Sequence, residues 1–236
     1  MAARPIFYDT ETTGIRSETD RVIELAAYDP LHDVAFEVLI NPGIPIPKEA
    51  SAIHHITDEM VSNSAPIEEV LPRFIDFCHG DVVLVAHNND GFDIHFMRQE
   101  FKRSRLEFPS WRFFDTLKWA RRFRSDLPRH TLQFLREVYG FEANNAHRAL
   151  EDVKILHQVY KAMTEDLSIE RAYSLLNEKR EIQFMPFGKH KGQPLKDVPS
   201  SYVQWLSDTG AFDKSENEPL KTQFIQLGKI KSKVLV

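Results

Sequence analysis

The run Val82-Val83-Leu84-Val85-Ala86 limits the architecture of this chain more than any other stretch. It is continuously apolar and bounded by Gly80-Asp81 before and His87-Asn88 after. A strand with no polar face belongs at the centre of a sheet that is covered on both sides. Before it, Ile6–Glu11, Arg21–Tyr28 and Val34–Ile40 read as three more strands, with Asp29-Pro30-Leu31-His32-Asp33 as turn chemistry. Their short connections predict an antiparallel meander. After it the pattern alternates: a helix from about Phe92 to Lys102, a short strand at Arg112–Phe114, helices near Thr116–Phe123 and Thr131–Tyr139, and a long helix from about Arg148 to Thr164. On that last helix Leu150, Val153, Leu156, Tyr160 and Met163 share one stripe. The whole predicts an α/β domain with a mixed five-stranded sheet flanked by helices.

Ser64-Ala65-Pro66 followed by Glu68 and Glu69 marks a further helix start, with Val70, Leu71, Phe74, Ile75 and Phe77 as its apolar face. Three prolines exclude regular structure over Asn41–Pro47. The single cysteine, Cys78, falls at the end of the apolar stripe and reads as a buried core thiol. One cysteine forms no internal disulfide, which suits a reducing compartment, and no apolar run approaches the ~20 residues of a membrane span. The expectation is a cytoplasmic protein with no membrane partner and no apolar leader. Charge divides the chain: residues 179–236 carry +4 and residues 1–178 carry −9. The boundary is therefore placed at 178/179, with a small basic α+β module to follow. Within the module, Phe184–Gly192 reads as a hairpin or tight loop, and helices are expected near Ser201–Ser207 and Pro219–Gly228.

The acids carry the chemistry. In Ile6-Phe7-Tyr8-Asp9-Thr10-Glu11-Thr12-Thr13-Gly14 a strand ends on two carboxylates at i and i+2, which point to one face. Such a pair repels itself unless a cation or a proton relieves it; by itself it reads equally as a solvated strand end. Asp93 follows the buried strand at its carboxyl end, where open α/β sheets place their sites. It shares a helical face with Phe96 and Met97, although Asp93 or Asp90 reads also as a helix cap. Asp152 borders the apolar stripe of the long helix, a half-buried acid that needs a partner. His147 precedes it by about 500° of helical rotation, so it reaches the same site only from a loop or first turn. Alone, His147 reads as a surface histidine.

The order D-x-E, F-D-x-x-F and H-x4-D resembles the DEDDh (DnaQ-like) 3′→5′ exonuclease family, which includes the epsilon proofreading subunit of bacterial DNA polymerase III. The resemblance spans about residues 4–165 and takes in Ile53-His54-His55-Ile56-Thr57 and Asp115-Thr116-Leu117. One departure is a seven-residue His87–Asp93 segment where the family often has six. The resemblance implies an RNase H-like fold, with Asp9, Glu11, Asp93 and Asp152 as ligands of two divalent ions, Mg²⁺ or Mn²⁺. It implies His147 as general base. Hard cations favour carboxylate oxygens, and an imidazole near its unperturbed pKa of about 6.5 is suited to accept a proton at neutral pH.

Thr12, Thr13, Gly14, Ile53, His54 and Phe92 are the implied contacts to the terminal nucleotide, against ordinary loop and core packing as the alternative. Asp115 reads as a helix cap and not as a fifth ligand. In the module, Phe187, Lys189, His190 and Lys191 combine an aromatic with basic groups and are candidate nucleic-acid contacts, against a solvated hairpin with a structural Phe. The predicted activity is hydrolysis of terminal phosphodiesters of single-stranded DNA 3′ ends, releasing nucleoside 5′-monophosphates. A DNA polymerase or a replication or repair complex is a candidate partner. The alternatives are RNA 3′-end trimming and a non-catalytic binding or polymerase-docking subunit.

Overall fold

The computed structural model describes residues 3–142, 149–178, 182–213 and 217–230. The chain divides into two compact units, Met1–Leu176 and Asn177–Val236.

The first unit is built on one five-stranded sheet of order β3-β2-β1-β4-β5. Strands β1 (Arg4–Thr12), β2 (Val22–Asp29) and β3 (Val34–Leu39) form the expected antiparallel meander. β4 (Val82–Ala86) lies parallel to β1 on one side and to β5 (Arg112–Asp115) on the other. Every residue of β4 is buried, as its apolar run requires.

The pleat of the central strands sorts their side chains between two cores. Ile6, Tyr8, Leu84 and Ala86 face one core, which includes Phe74 of α3 (Ile67–Phe77) and Phe96 and Phe101 of α4 (Asp93–Arg103). Phe7, Val83 and Val85 face the other, packed with Val153, Leu156 and Tyr160 of α7 (Ala149–Thr164). α5 (Thr116–Phe123) and α6 (Leu132–Val138) fall where expected, with α6 a residue shorter at each end.

Three elements escape the sequence reading. α1 (Lys48–His54) and α2 (Asp58–Val61) follow the proline-rich stretch, and α8 (Ile169–Asn177) closes the unit. All are short, so their apolar periodicity is too brief to read. Pro72 lies inside α3, where it costs about 3 kcal/mol of helix stability. Burying Ile67, Val70, Leu71 and Phe74, each worth about 1.5–3 kcal/mol, outweighs that penalty.

The second unit has a core of its own, including Met185, Leu195, Val203, Leu206, Phe212, Leu220 and Phe224. Its β content among the described residues is one bridge, Phe184 to Pro194. Within the loop that the bridge closes, Gly188–His190 form a 3₁₀ turn, and α9 (Ser200–Asp208) and α10 (Glu218–Gln226) follow.

Candidate active site

Strand parity decides where the first two acids point. Asp9 and Glu11 share the face of β1 that holds Phe7, the face covered by α7. Asp152 projects from the first turns of α7, and one carboxylate oxygen from each of Asp9, Glu11 and Asp152 lies within 4.8 Å of the others. The start of α7 is fixed to the sheet, because the Ala149 amide donates to buried Glu24 of β2 at 3.0 Å. Glu24 is in turn the register partner of Glu11.

Asp93 approaches from the other side. It opens α4 just beyond the carboxyl end of β4 and is 2% exposed. Thr10, whose side chain has the opposite parity to Asp9, donates its hydroxyl to Asp93 Oδ1 at 2.8 Å. Asp9, Glu11, Asp93 and Asp152 all line one 290 Å³ cleft at the carboxyl end of the sheet, with His87, Asn88 and Phe92 among its other walls.

The longer segment before Asp93 is accommodated locally. It contains a 3₁₀ turn at Asn89–Gly91, entered through Asn88 in the left-handed region (φ 68°). Buried Asn89 is anchored by the Tyr8 hydroxyl. Asp115, at the end of β5, accepts from the amides of Asn88 (3.1 Å), Asp90 (3.0 Å), Leu117 (2.8 Å) and Lys118 (3.2 Å). It caps α5, as expected, and pins the turn that delivers Asp93. Asp90 turns outward to Lys118 at 3.3 Å and is absent from the cleft walls, whereas Asp93 faces it.

The electrostatics follow from this crowding. Burial, then the neighbouring carboxylates of Asp93, Glu11, Asp152 and Glu24, push the Asp9 carboxyl well above the ordinary carboxylate range. Burial, with help from the Asp115 charge and against the Thr10 hydrogen bond, pushes Asp93 up to about 7. Clustered hard oxygens of this kind fit divalent cations such as Mg²⁺ or Mn²⁺, which would remove the repulsion.

A second hollow of 530 Å³ adjoins the carboxylates. Thr12, Thr13, Gly14, Ile53, His54 and Phe92 all line it, so the six expected nucleotide contacts converge on one place. Their characters differ. Ile53 is 54% exposed and available to a ligand, whereas Thr12, Thr13 and His54 are buried. The Thr13 hydroxyl accepts from the Arg21 amide at 3.0 Å, and His54 Nδ1 accepts from the Ile56 amide at 3.0 Å. These two shape the loops by hydrogen bonding.

Gln133 was not singled out by the sequence. Its amide donates to Asp152 Oδ1 at 3.1 Å, while Arg136 Nε donates to Gln133 Oε1 at 2.9 Å. No sequence signal marks it, since a glutamine at i−3 to an arginine on a helix is an ordinary surface pair. His147 lies outside the described residues.

In the second unit Phe187 is half-buried and packs against the core. Lys189 and Lys191 are exposed, and His190 is half-buried.

The sequence model of the exonuclease family matches residues 6–160. The chain belongs to the exonuclease family. It is 37% identical over 161 residues to the DNA polymerase III subunit epsilon of Treponema pallidum, covering 66% of this chain and 74% of that one. It is 36% identical over 181 residues to the chloroplastic/mitochondrial exonuclease DPD1 of Arabidopsis thaliana, covering 70% and 57%. With the PolC-type DNA polymerase III of Caldanaerobacter subterraneus it shares 33% identity over 191 residues. That match covers 77% of this chain and 13% of the relative, so this member of the exonuclease family spans only a fraction of some proteins it matches.

Its fold is shared with exonuclease X solved in complex with 5′ overhanging duplex DNA (TM-score 0.56, 24% identity, 73% of this chain and 99% of that one). It is shared also with E. coli exonuclease I bound to single-stranded DNA (TM-score 0.62, 21% identity, 74% and 43%). Residues 177–225 match a family described as "Putative quorum-sensing-regulated virulence factor".

Proposed function

We propose that this member of the exonuclease family is a divalent-metal-dependent 3′→5′ exonuclease that acts on single-stranded DNA ends. The observation that carries the reading is the convergence of Asp9, Glu11 and Asp152 within 4.8 Å, with Asp93 on the same cleft. Asp9, Glu11, Asp93 and Asp152 would hold two divalent ions, which when bound stabilise negative charge on the attacking and leaving oxygens of a phosphodiester. Thr10 and Gln133 orient two of the four carboxylates.

His147, two residues before the start of α7, is the proposed general base. It takes a proton from the attacking water as the new P–O bond forms and the bond to the penultimate 3′ oxygen breaks. The product is a nucleoside 5′-monophosphate. The apolar hollow beside the carboxylates, with exposed Ile53 and half-buried Phe92, suits the terminal base and sugar. DNA is favoured over RNA because relatives of this chain are DNA polymerase III proteins, and because the neighbouring structures carry DNA. The same relatives make a DNA polymerase a candidate partner.

The test is digestion of 3′-labelled and 5′-labelled oligonucleotides, DNA and RNA in parallel, with Mg²⁺, Mn²⁺ or EDTA. Mononucleotide release from the 3′ end of DNA, absent in EDTA and in Asp9→Ala, is expected. Hydrolysis persisting in EDTA would sink the metal-dependent reading, and faster digestion of RNA would reassign the substrate. Full kcat in His147→Ala across about pH 6–9 would remove the general base.

A further inference from the structure

The second unit brings three aromatic rings into contact, exposed Trp205 and half-buried Tyr202 and His190. Tyr202 and Trp205 are spaced i, i+3 on α9, so their side chains stand side by side. Their rings are stacked, with centroids 5.5 Å apart and planes inclined by 26°. On the same Tyr202 ring rests His190, at 4.6 Å and 64°.

The Gly188–Gly192 loop fixes these rings in place. Gly188 has φ +72°, and a Cβ there would collide with the Tyr202 hydroxyl, so glycine is required on both counts. The Lys189 amide donates to that hydroxyl at 3.3 Å. His190 Nδ1 is bonded to Gln193 Oε1 at 2.7 Å, and Gln193 Nε2 donates to the Asp197 carbonyl at 3.0 Å. The backbone thus holds the rings, while the side chains of Lys189 and Lys191 are exposed on either side of His190.

Trp205 is the informative member. The other two tryptophans, Trp111 and Trp119, are packed with the hydrophobic cores of the first unit. Trp205 is 55% exposed although Val203 and Leu206 beside it are buried, so the fold of α9 does not use its indole for the core. An exposed indole stacked on a half-buried tyrosine ring, with two exposed lysines in the adjoining loop, combines the elements of a single-strand platform: a ring face for bases and ammonium groups for phosphates.

We propose that Trp205, Tyr202 and His190, with Lys189 and Lys191, form a binding surface for single-stranded nucleic acid, independent of the carboxylate cleft. The choice of partner rests on the nucleic-acid reading of that cleft. The exposed ammonium groups of Lys189 and Lys191 give the surface its complementarity to a phosphate backbone.

The experiment uses the full chain in EDTA, with a labelled oligothymidylate followed by fluorescence anisotropy over a series of salt concentrations. Trp205→Ala is expected to weaken binding at least about 5-fold, and Trp205→Phe to retain most of the affinity, because a phenyl ring still stacks. In the Lys189→Ala/Lys191→Ala double variant the slope of log affinity against log salt should fall by about 1.4, at ~0.7 per phosphate contact. Wild-type affinity in Trp205→Ala, or an unchanged slope in the double variant, overturns the proposal and leaves the exposed indole to a protein partner. Cleavage of a dinucleotide with Mn²⁺ is measured on the same preparations. Its absence in wild type removes the exonuclease reading while the anisotropy still decides the platform; its presence with unaltered binding removes the platform alone.

Discussion

The Thr10 hydroxyl donates to Asp93 Oδ1 at 2.8 Å, tying β1 to the first turn of α4 through a buried pair. Alternation along β1 sends Asp9 and Glu11 to one face and Thr10 to the other, so a single strand supplies two acids and the positioning group for a third. Thr10→Val preserves shape and removes the donor. Groups that orient a metal ligand typically cost 10–100-fold in metal affinity or activity when lost, roughly. The expected result is a Mn²⁺ activation curve displaced by at least about 10-fold, with saturating Mn²⁺ restoring much of the rate. An unshifted curve would show that Asp93 keeps its orientation without Thr10.

Asp9 pits activity against stability. Its carboxylate stands among four other acids whose charges all oppose its ionisation. Asp9→Asn removes that repulsion while retaining size, so the variant should be inactive yet melt higher than wild type in EDTA. A gain of about 1 kcal/mol corresponds to roughly 2–4 °C in a chain of this length. Differential scanning calorimetry in EDTA decides it, and a lower Tm would mean that the Asp9 carboxylate is structurally required.

The same crowding sets a pH dependence. Asp93 is raised to about 7 and Asp9 is raised well above its ordinary value. A carboxyl with a raised folded-state pKa holds a proton that the unfolded chain has already released. The metal-free protein therefore loses stability as pH climbs from the ordinary Asp value, about 4, towards 7. A divalent cation offsets that loss only where the acids are ionised. Mg²⁺ or Mn²⁺ should raise Tm markedly at about pH 8 and little at about pH 5. Equal stabilisation at both would place the cation elsewhere.

Much of this arrangement is legible from sequence, and its limits are physical. β4 announces itself because an unbroken apolar run has few other homes, and β1 because two acids close an apolar strand. Asp152 is recognisable as an acid at the edge of a helical stripe. Thr10, Glu24 and Gln133 are not, because their roles depend on pairings across 83, 125 and 19 residues that no local pattern encodes. The same holds for the aromatic row of the second unit. The loop basic residues stand out in the sequence, whereas Trp205 looks like any helical aromatic until its exposure is known. Phe187, which the same motif brings forward, packs half-buried against the core.

Glu100 supports the apolar hollow from behind. It is fully buried on α4 and accepts from Arg21 Nε at 2.9 Å, the Val22 amide at 3.2 Å and Arg103 at 3.0 Å. Arg103 also donates to the carbonyls of Ser17 (2.8 Å), Glu18 (2.9 Å) and Asp20 (3.0 Å). Thr19 and Asp20 line the hollow, so this one carboxylate couples a buried ion pair to the shape of a candidate binding loop. Breaking a buried pair costs about 3–5 kcal/mol. Both guanidinium side chains are 21% exposed, which places Glu100→Gln at the lower end, about 3 kcal/mol. A fall in Tm of roughly 6–12 °C follows. Below its melting point the variant should show a raised KM for oligonucleotides with kcat nearly kept, since the four carboxylates of the cleft are untouched. A lowered kcat at unchanged KM would instead connect Glu100 to the chemistry itself.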